Sequence, residues 1–349
     1  MRALFQLKKL IILVCFLAAC SSPPTPTPSP TQIPTAEITS TPIAEPTLQL
    51  GNWHDMIFHE QLGRVVLING GPETGKNLED PIELWAWDGT EWSLLIADEN
   101  GPRWRNFASV TYDSNRDVLI LYAGVTVEKE YQDTWEWNGQ TWNQFPVEGP
   151  GLREGAGMAY DAKREKVILF GGSQSGDMMN DLWEWDGSQW SQISTEGPSP
   201  RFPAGFVYDS AREYVLLFGG HSFENQTFKT FGDTWTWDGI TWTQIEIQGP
   251  SPRDGARAVF DPLLNNIFLF GGAEITNNVK NLNDTWIWNG NQWSQLDVQA
   301  PPARVHPILA FDSNRGVIVM TGGSNGPGAT LSDTWEWDGT SWICKMECE

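Results

Sequence analysis

Basic residues are scarce in this 349-residue chain: 22 Lys and Arg stand against 44 Asp and Glu, a formal charge of −22. A surface so acidic is repelled by phosphate backbones and by anionic lipid, which speaks against sequence-nonspecific nucleic-acid binding and against adhesion to a membrane surface. Cysteine is scarce too. Cys15 and Cys20 lie near the start and Cys344 and Cys348 at the end, and two clustered Cys do not make a zinc site. Only four His occur: His54, His59, His221 and His306. The apolar run Leu10–Ala19 has ten residues, half of the roughly 20 that a membrane-spanning helix needs. What is abundant is Trp, with 20, and Gly, with 34. Disordered chains are poor in aromatics, so most of this one folds.

The N-terminus reads as an address. Arg2, Lys8 and Lys9 precede the apolar run, the pattern of a secretory signal over residues 1–19. It ends Leu17-Ala18-Ala19-Cys20, which resembles the lipobox of bacterial lipoproteins. That resemblance implies cleavage before Cys20, lipid on its sulfur, and an extracytoplasmic, membrane-anchored protein at the cell surface or periplasmic face. The small neutral Ser21 would favour the outer membrane of a two-membrane cell. The alternative is a soluble secreted chain in which Cys20 is incidental. Cleavage takes the charge to 19 − 44 = −25. Residues 20–50 then form a linker. Ser21–Leu50 holds eight Pro and seven Thr in thirty residues, too few large apolar groups to offset chain entropy. At about 3.1 Å per residue a Pro-rich tether of this length reaches at most roughly 90 Å.

Repeats dominate the rest. Trp-x-Trp recurs at Trp85/Trp87, Trp135/Trp137, Trp183/Trp185, Trp235/Trp237, Trp286/Trp288 and Trp335/Trp337, with offsets of 50, 48, 52, 51 and 49. Asp-Gly or Asn-Gly follows each pair, then a third Trp: Trp92, Trp142, Trp190, Trp242, Trp293 or Trp342. Only Trp53 and Trp104 fall outside this pattern. In the third repeat, Ala156–Asp161, Lys166–Phe170, Asp181–Trp185 and Trp190–Ser194 read as four strands. Asp186-Gly187 suits a tight hairpin, and a two-residue turn there puts Trp183 opposite Trp190. Side chains alternate along a strand, so Trp183, Trp185 and Trp190 form one aromatic face that a neighbouring repeat must cover.

Four strands in about fifty residues with one oversized aromatic face fit a propeller blade. The apolar strand ending in double Gly, then Asp-x-Trp-x-Trp, then a further Trp, resembles the kelch repeat, as in the central domain of galactose oxidase. Double Gly stands at Gly70/Gly71, Gly171/Gly172, Gly219/Gly220, Gly271/Gly272 and Gly322/Gly323; repeat two departs with Ala123-Gly124. The expected architecture is all-β: a six-bladed propeller over 51–349 with blades near 51–102, 103–151, 152–200, 201–252, 253–303 and 304–349. No blade is visibly shared between the termini, although Leu48–Leu50 could add a short edge strand.

The loops from strand two to strand three vary in length and share one end of the barrel, where function usually sits. An Arg recurs just before strand one: Arg105, Arg153, Arg201, Arg253 and Arg304, with Asn52 in repeat one. Two readings stand. As a cationic ring around the channel they would bind a carboxylate. Alternatively they pair with the acidic residue before each Trp pair (Glu83, Asp133, Asp181, Asp233, Asp284, Asp333) and are scaffold. The non-periodic Trp53, His54, Trp104, Phe202, His221, Phe223 and His306 are further candidate ligand-facing residues. The Asp113/Arg116, Asp161/Arg164, Asp209/Arg212 and Asp312/Arg315 pairs at the short-turn end recur too regularly to be a site. Cys344 and Cys348 sit too far apart in an extended strand to bond; a turn at Lys345–Glu347 would allow it, and the spacing leaves the bond open.

Galactose oxidase resemblance would imply copper held by two Tyr and two His with a Tyr–Cys cross-link. This chain has no Tyr-His pair, and its propeller Cys lie at the extreme C-terminus, so that chemistry does not carry over. The sialidase-type Ser-x-Asp-x-Gly-x-x-Trp box is absent. No catalytic residues, metal or cofactor are assigned. The function expected is a non-catalytic binding module that meets a protein or glycan through its loop-rich face. The alternative is a metal-free enzyme acting on sugar acids, of the kelch mutarotase type.

Overall fold

The computed structural model describes residues 48–50, 55–69, 78–194, 196–224, 227–276, 278–326 and 329–348. The signal segment, Cys20, the tether to residue 47, Trp53 and His54 lie outside them. Every regular element among the described residues is a strand. Six antiparallel four-stranded sheets follow one another along the chain, and in the third and fifth a two-stranded ribbon, Ser173–Gln174 with Asp177–Met178 and Ala273–Ile275 with Val279–Asn281, interrupts the loop between the second and third strands; the compact unit runs Pro46–Glu349. The innermost strands are Asp55–His59, Ser109–Asp113, Gly157–Asp161, Gly205–Asp209, Arg257–Asp261 and Ile308–Asp312. They surround a central channel. The second strands, such as Lys166–Phe170, are continuous apolar runs buried on both faces.

The aromatic face behaves as its periodicity requires. Trp183, Trp185 and Trp190 all pack against blade two, over Ile120 and Tyr122. A Trp side chain buries roughly 200 Å², worth about 5 kcal/mol at 25 cal/mol per Å². Two of these indole N–H groups cross the interface, Trp185 Nε1 donating to Glu136 and Trp190 Nε1 to Thr134 Oγ1, while Trp183 Nε1 donates to Asp181 of its own blade. The register differs from the two-residue turn expected. Trp185, not Trp183, lies opposite Trp190. Asp186 Oδ1 accepts the Ser188 and Gln189 N–H groups, which opens the loop to four residues. A shift of two keeps every side chain on its face, so the aromatic slab survives the correction. Gly187 turns at φ 90°, and the Arg116 guanidinium of blade two fills the space where a Cβ would point.

Ring closure uses the same device. Trp87 Nε1 donates to Glu336 and Trp92 Nε1 to Thr334 Oγ1, and Met56, Leu67 and Trp85 pack on Ile308 and Val319. Among the described residues blades one and six share no strand, and the Asn314 amide adds a hydrogen bond to Gly63 O across the seam. Leu48–Leu50 forms no strand; Leu48 and Leu50 pack on this seam instead. Cys344 and Cys348 are disulfide-bonded across a Cα separation of 6.0 Å. Glu347, at φ 53°, supplies the turn that their spacing demands.

Candidate functional site

The recurring arginines are scaffold, which corrects the ligand-facing reading of Arg105, Arg153, Arg201, Arg253 and Arg304. All five are at most 3 % exposed. Each guanidinium forms a two-pronged pair with the acid of its own blade: Asp133, Asp181, Asp233, Asp284 and Asp333 respectively. A further N–H donates to the backbone, as from Arg304 to Gly322 O at 3.0 Å. The same carboxylates accept the first Trp of each pair, such as Trp286 on Asp284 at 2.6 Å. Burial by itself would raise Asp181, Asp233 and Asp284, but the bonded guanidinium outweighs it and holds them below the ordinary Asp range. Tyr131 and Phe231 lie over Arg105 and Arg201 at 3.7 and 3.8 Å and seal them further. Blade one lacks the Arg; there Asn69 and Trp85 donate to Glu83. Trp104, 5 % exposed, is a packing residue and not ligand-facing.

The double Gly also has a structural cause. Gly172, at φ 84°, donates its N–H to Arg201 O of the next blade, and a Cβ there would stand 2.5 Å from Glu154 O. The residue after the Gly pair bridges to the residue after the Arg. In blade four this sets His221 beside Phe202.

That bridge builds the channel mouth at the loop-rich end. Phe202 and His221 stack with ring centroids 4.9 Å apart, His221 stacks on Phe228 at 4.7 Å, and Phe107 lies 6.3 Å from Phe202. Phe202 and the His306 ring reach in over glycines of the preceding blades: added Cβ atoms would lie 1.9 Å from Phe202 at Gly155 and 2.8 Å from His306 at Gly255. Phe107 and His306 hold φ values of 56° and 52°. Strain of this kind in non-glycine residues costs on the order of 1–3 kcal/mol each and concentrates at ligand sites. His221 Nδ1 lies 2.7 Å from Asp254 Oδ1. Burial would raise Asp254, but that hydrogen bond and the nearby His306 lower it overall. His306 itself is pushed down to about 4, chiefly by burial and with Arg257 adding to it. Burial raises Glu154, opposed by the Ser173 hydroxyl donating to it.

The channel offers about 600 Å³, lined by all six blades. Phe202, His221 and His306, three of the sequence candidates, line it together. Phe223 is half exposed on the blade-four hairpin, cross-strand from Phe228 and off the channel wall. Asp55, Glu154, Asp254 and Arg257 also line it, and sequence reasoning missed them. Comparing the first residue of each innermost strand would have found two of these: Asp55, Ser109, Gly157, Gly205, Arg257, Ile308. Asp55 and Arg257 are the charged members of that set. Among the described residues, no three His, Cys, Asp or Glu side chains converge as a metal site. The mouth is therefore a pocket with stacking faces, one cation and several acceptors.

A solved structure titled "Structure of YjhT" superposes with a TM-score of 0.63 at 13 % identity, over 84 % of this chain and 98 % of that one. That likeness is one of fold. No curated protein matches the sequence. The family model described as the KLHDC2/KLHL20/DRC7 Kelch-repeats domain matches residues 53–249, more than half of the chain. With six blades, the double-Gly turns and the Trp ladder all in place, the chain belongs to the kelch-repeat propeller family.

Proposed function

We propose that this protein is a lipid-anchored extracytoplasmic binding module that recognises a glycan or a protein at the loop-rich mouth of its channel. One observation carries the reading. The non-periodic Phe107, Phe202, His221 and His306 converge at the mouth, whereas the periodic arginines are consumed by the scaffold. A scaffold repeated six times does not need those four residues, and stacked aromatics at a mouth suit sugar faces or a partner's anchor residue. The anchor rests on the lipobox-like Leu17–Cys20 and the Pro/Thr tether.

The test is a binding screen of the immobilised chain against neutral and acidic glycans and against surface proteins of the same cell. Phe202→Ala should lose binding, and Leu263→Ser at the opposite end should retain it; equal binding by both removes the reading. Cys20→Ala should move the protein from the membrane to the soluble fraction, and unchanged fractionation removes the anchor. A second reading, a metal-free enzyme acting on sugar acids, draws on His221 and Asp254. With Nδ1 donating to the carboxylate, His221 would present Nε2 as a base. Unchanged anomerisation rates of sugar acids, followed by NMR, would eliminate it.

A further inference from the structure

We infer that Arg257 anchors the carboxylate of a monoanionic ligand at the channel mouth, with the carbon skeleton of that ligand packed against the Phe202–His221 stack. The inference rests on the mouth being the ligand site. Its first support is a contrast among arginines. The five before the innermost strands and the four in the short turns are all in ion pairs within the scaffold. Arg257 lies on the channel wall and is partly exposed. Among the described residues its side chain makes no hydrogen bond and has no carboxylate within 4.0 Å. Five guanidinium N–H donors are thus presented to the channel with no partner in the protein.

The second support is position. Blades two, three and four carry Ser109, Gly157 and Gly205 where Arg257 stands in blade five. Those positions are closed by the next blade: a Cβ would meet Phe206 at 2.5 Å on Gly157 and Ala258 at 3.1 Å on Gly205, and Ser109 Oγ donates to Ala156 O. Arg257 is the member of this set that brings a cation to the channel wall. The third is charge. The nearby acids have other partners: Asp254 is bonded to His221, and Asp55 accepts its neighbour Met56 N–H. Arg257 acts on Asp55 and His306 only at longer range. Burial raises Asp55, the mark of a poorly solvated wall where an ion pair is strengthened. A planar guanidinium matches a carboxylate with two parallel bonds. A phosphate dianion fits less well, because one cation would face two negative charges beside Asp55, Asp254 and Glu154 in a chain of charge −22.

A sugar acid and a free peptide C-terminus share this chemistry, and calorimetric titration of the intact protein distinguishes them. The probes are glucuronate against methyl glucoside, tetra-alanine free acid against its amide, and inorganic phosphate. The expected result is that one acid binds at least about tenfold more tightly than its neutral counterpart. Arg257→Gln should abolish that preference while melting within a few degrees of the native protein, because the change breaks no hydrogen bond or close ion pair and removes only the longer-range attraction to Asp55. Arg257→Lys, which keeps charge but loses the fork, should recover part of it. Preference confined to glucuronate assigns a sugar acid, and preference confined to tetra-alanine assigns a peptide terminus. Equal binding of acid and neutral forms, or a preference that survives Arg257→Gln, overturns the inference and leaves the mouth as a binding site. Phosphate binding above both acids overturns the ligand class. Failure of every acid to bind at millimolar concentration overturns the inference, while Phe202→Ala in the glycan and protein screen decides the broader reading separately.

Discussion

Replacing Arg253 by Met tests whether the arginine ladder is scaffold. Arg253 is 1 % exposed and donates to both Asp284 oxygens at 2.6 and 2.9 Å, to Gly271 O at 3.0 Å, and to Ser251 O and Oγ. Met fills most of the stem volume but supplies none of these bonds. The Asp284 carboxylate, 18 % exposed at its side chain, then lies in the blade without its counter-ion. Removing one partner of a buried pair costs about 3–5 kcal/mol; the residual exposure of Asp284 and its retained Trp286 bond place this case near about 3 kcal/mol. For a domain of this size that is a fall in Tm of about 5 °C. Urea unfolding at pH 7 measures it directly. The pH dependence supplies an independent check. In the native protein Asp284 is held below its ordinary range, so its pairing stabilises above the unfolded pKa and fades as the carboxyl protonates on acidification. In Arg253→Met the stranded carboxyl rises instead, takes up a proton earlier, and the gap to the native protein narrows as pH falls toward 4. Arg253→Met/Asp284→Asn should recover part of the loss. A variant that unfolds like the native protein at pH 7 refutes the scaffold assignment.

His306 provides a further pH-linked prediction. Its native value of about 4 lies below the unfolded value near 6.5, so the unfolded state binds the proton first and stability is lost as pH falls from about 6.5 to about 4. The loss amounts to at most about 3–4 kcal/mol, and His306→Gln should show a flatter stability profile across that window in urea titrations. Gly172→Ala should cost about 1–3 kcal/mol, since its Cβ meets the Glu154 carbonyl at 2.5 Å and its φ is 84°; an unchanged Tm would mean that the double Gly has another cause.

Much of the fold was legible because its determinants are local. The Trp-x-Trp spacing and the period-two alternation keep three indoles on one face under any even shift of register, so a turn two residues longer than expected left the blade interface intact. The arginines were harder. Sequence shows Arg and Asp recurring together but not whether the guanidinium points inward to its Asp or outward to a ligand. Arg253 and Asp284 stand 31 residues apart and meet only once the blade has formed. Trp104 was misread for a related reason: a Trp outside the repeat is free of the ladder but still has to pack. Arg257 escaped notice because nothing in its own segment sets it apart. It becomes conspicuous only beside Ser109, Gly157 and Gly205 in the aligned innermost strands.

The sequence by itself determined the six blades, their strands, the face each Trp occupies and the resemblance to kelch repeats, because periodicity and turn chemistry act over a few residues. Only the tertiary structure decided which charges are spent and which remain. It buried five arginines in ion pairs, left Arg257 on the channel wall, and joined Phe202 and His221 of blade four to Asp254 of blade five. Those outcomes depend on how successive blades curve around one axis, which brings together side chains that no local pattern relates.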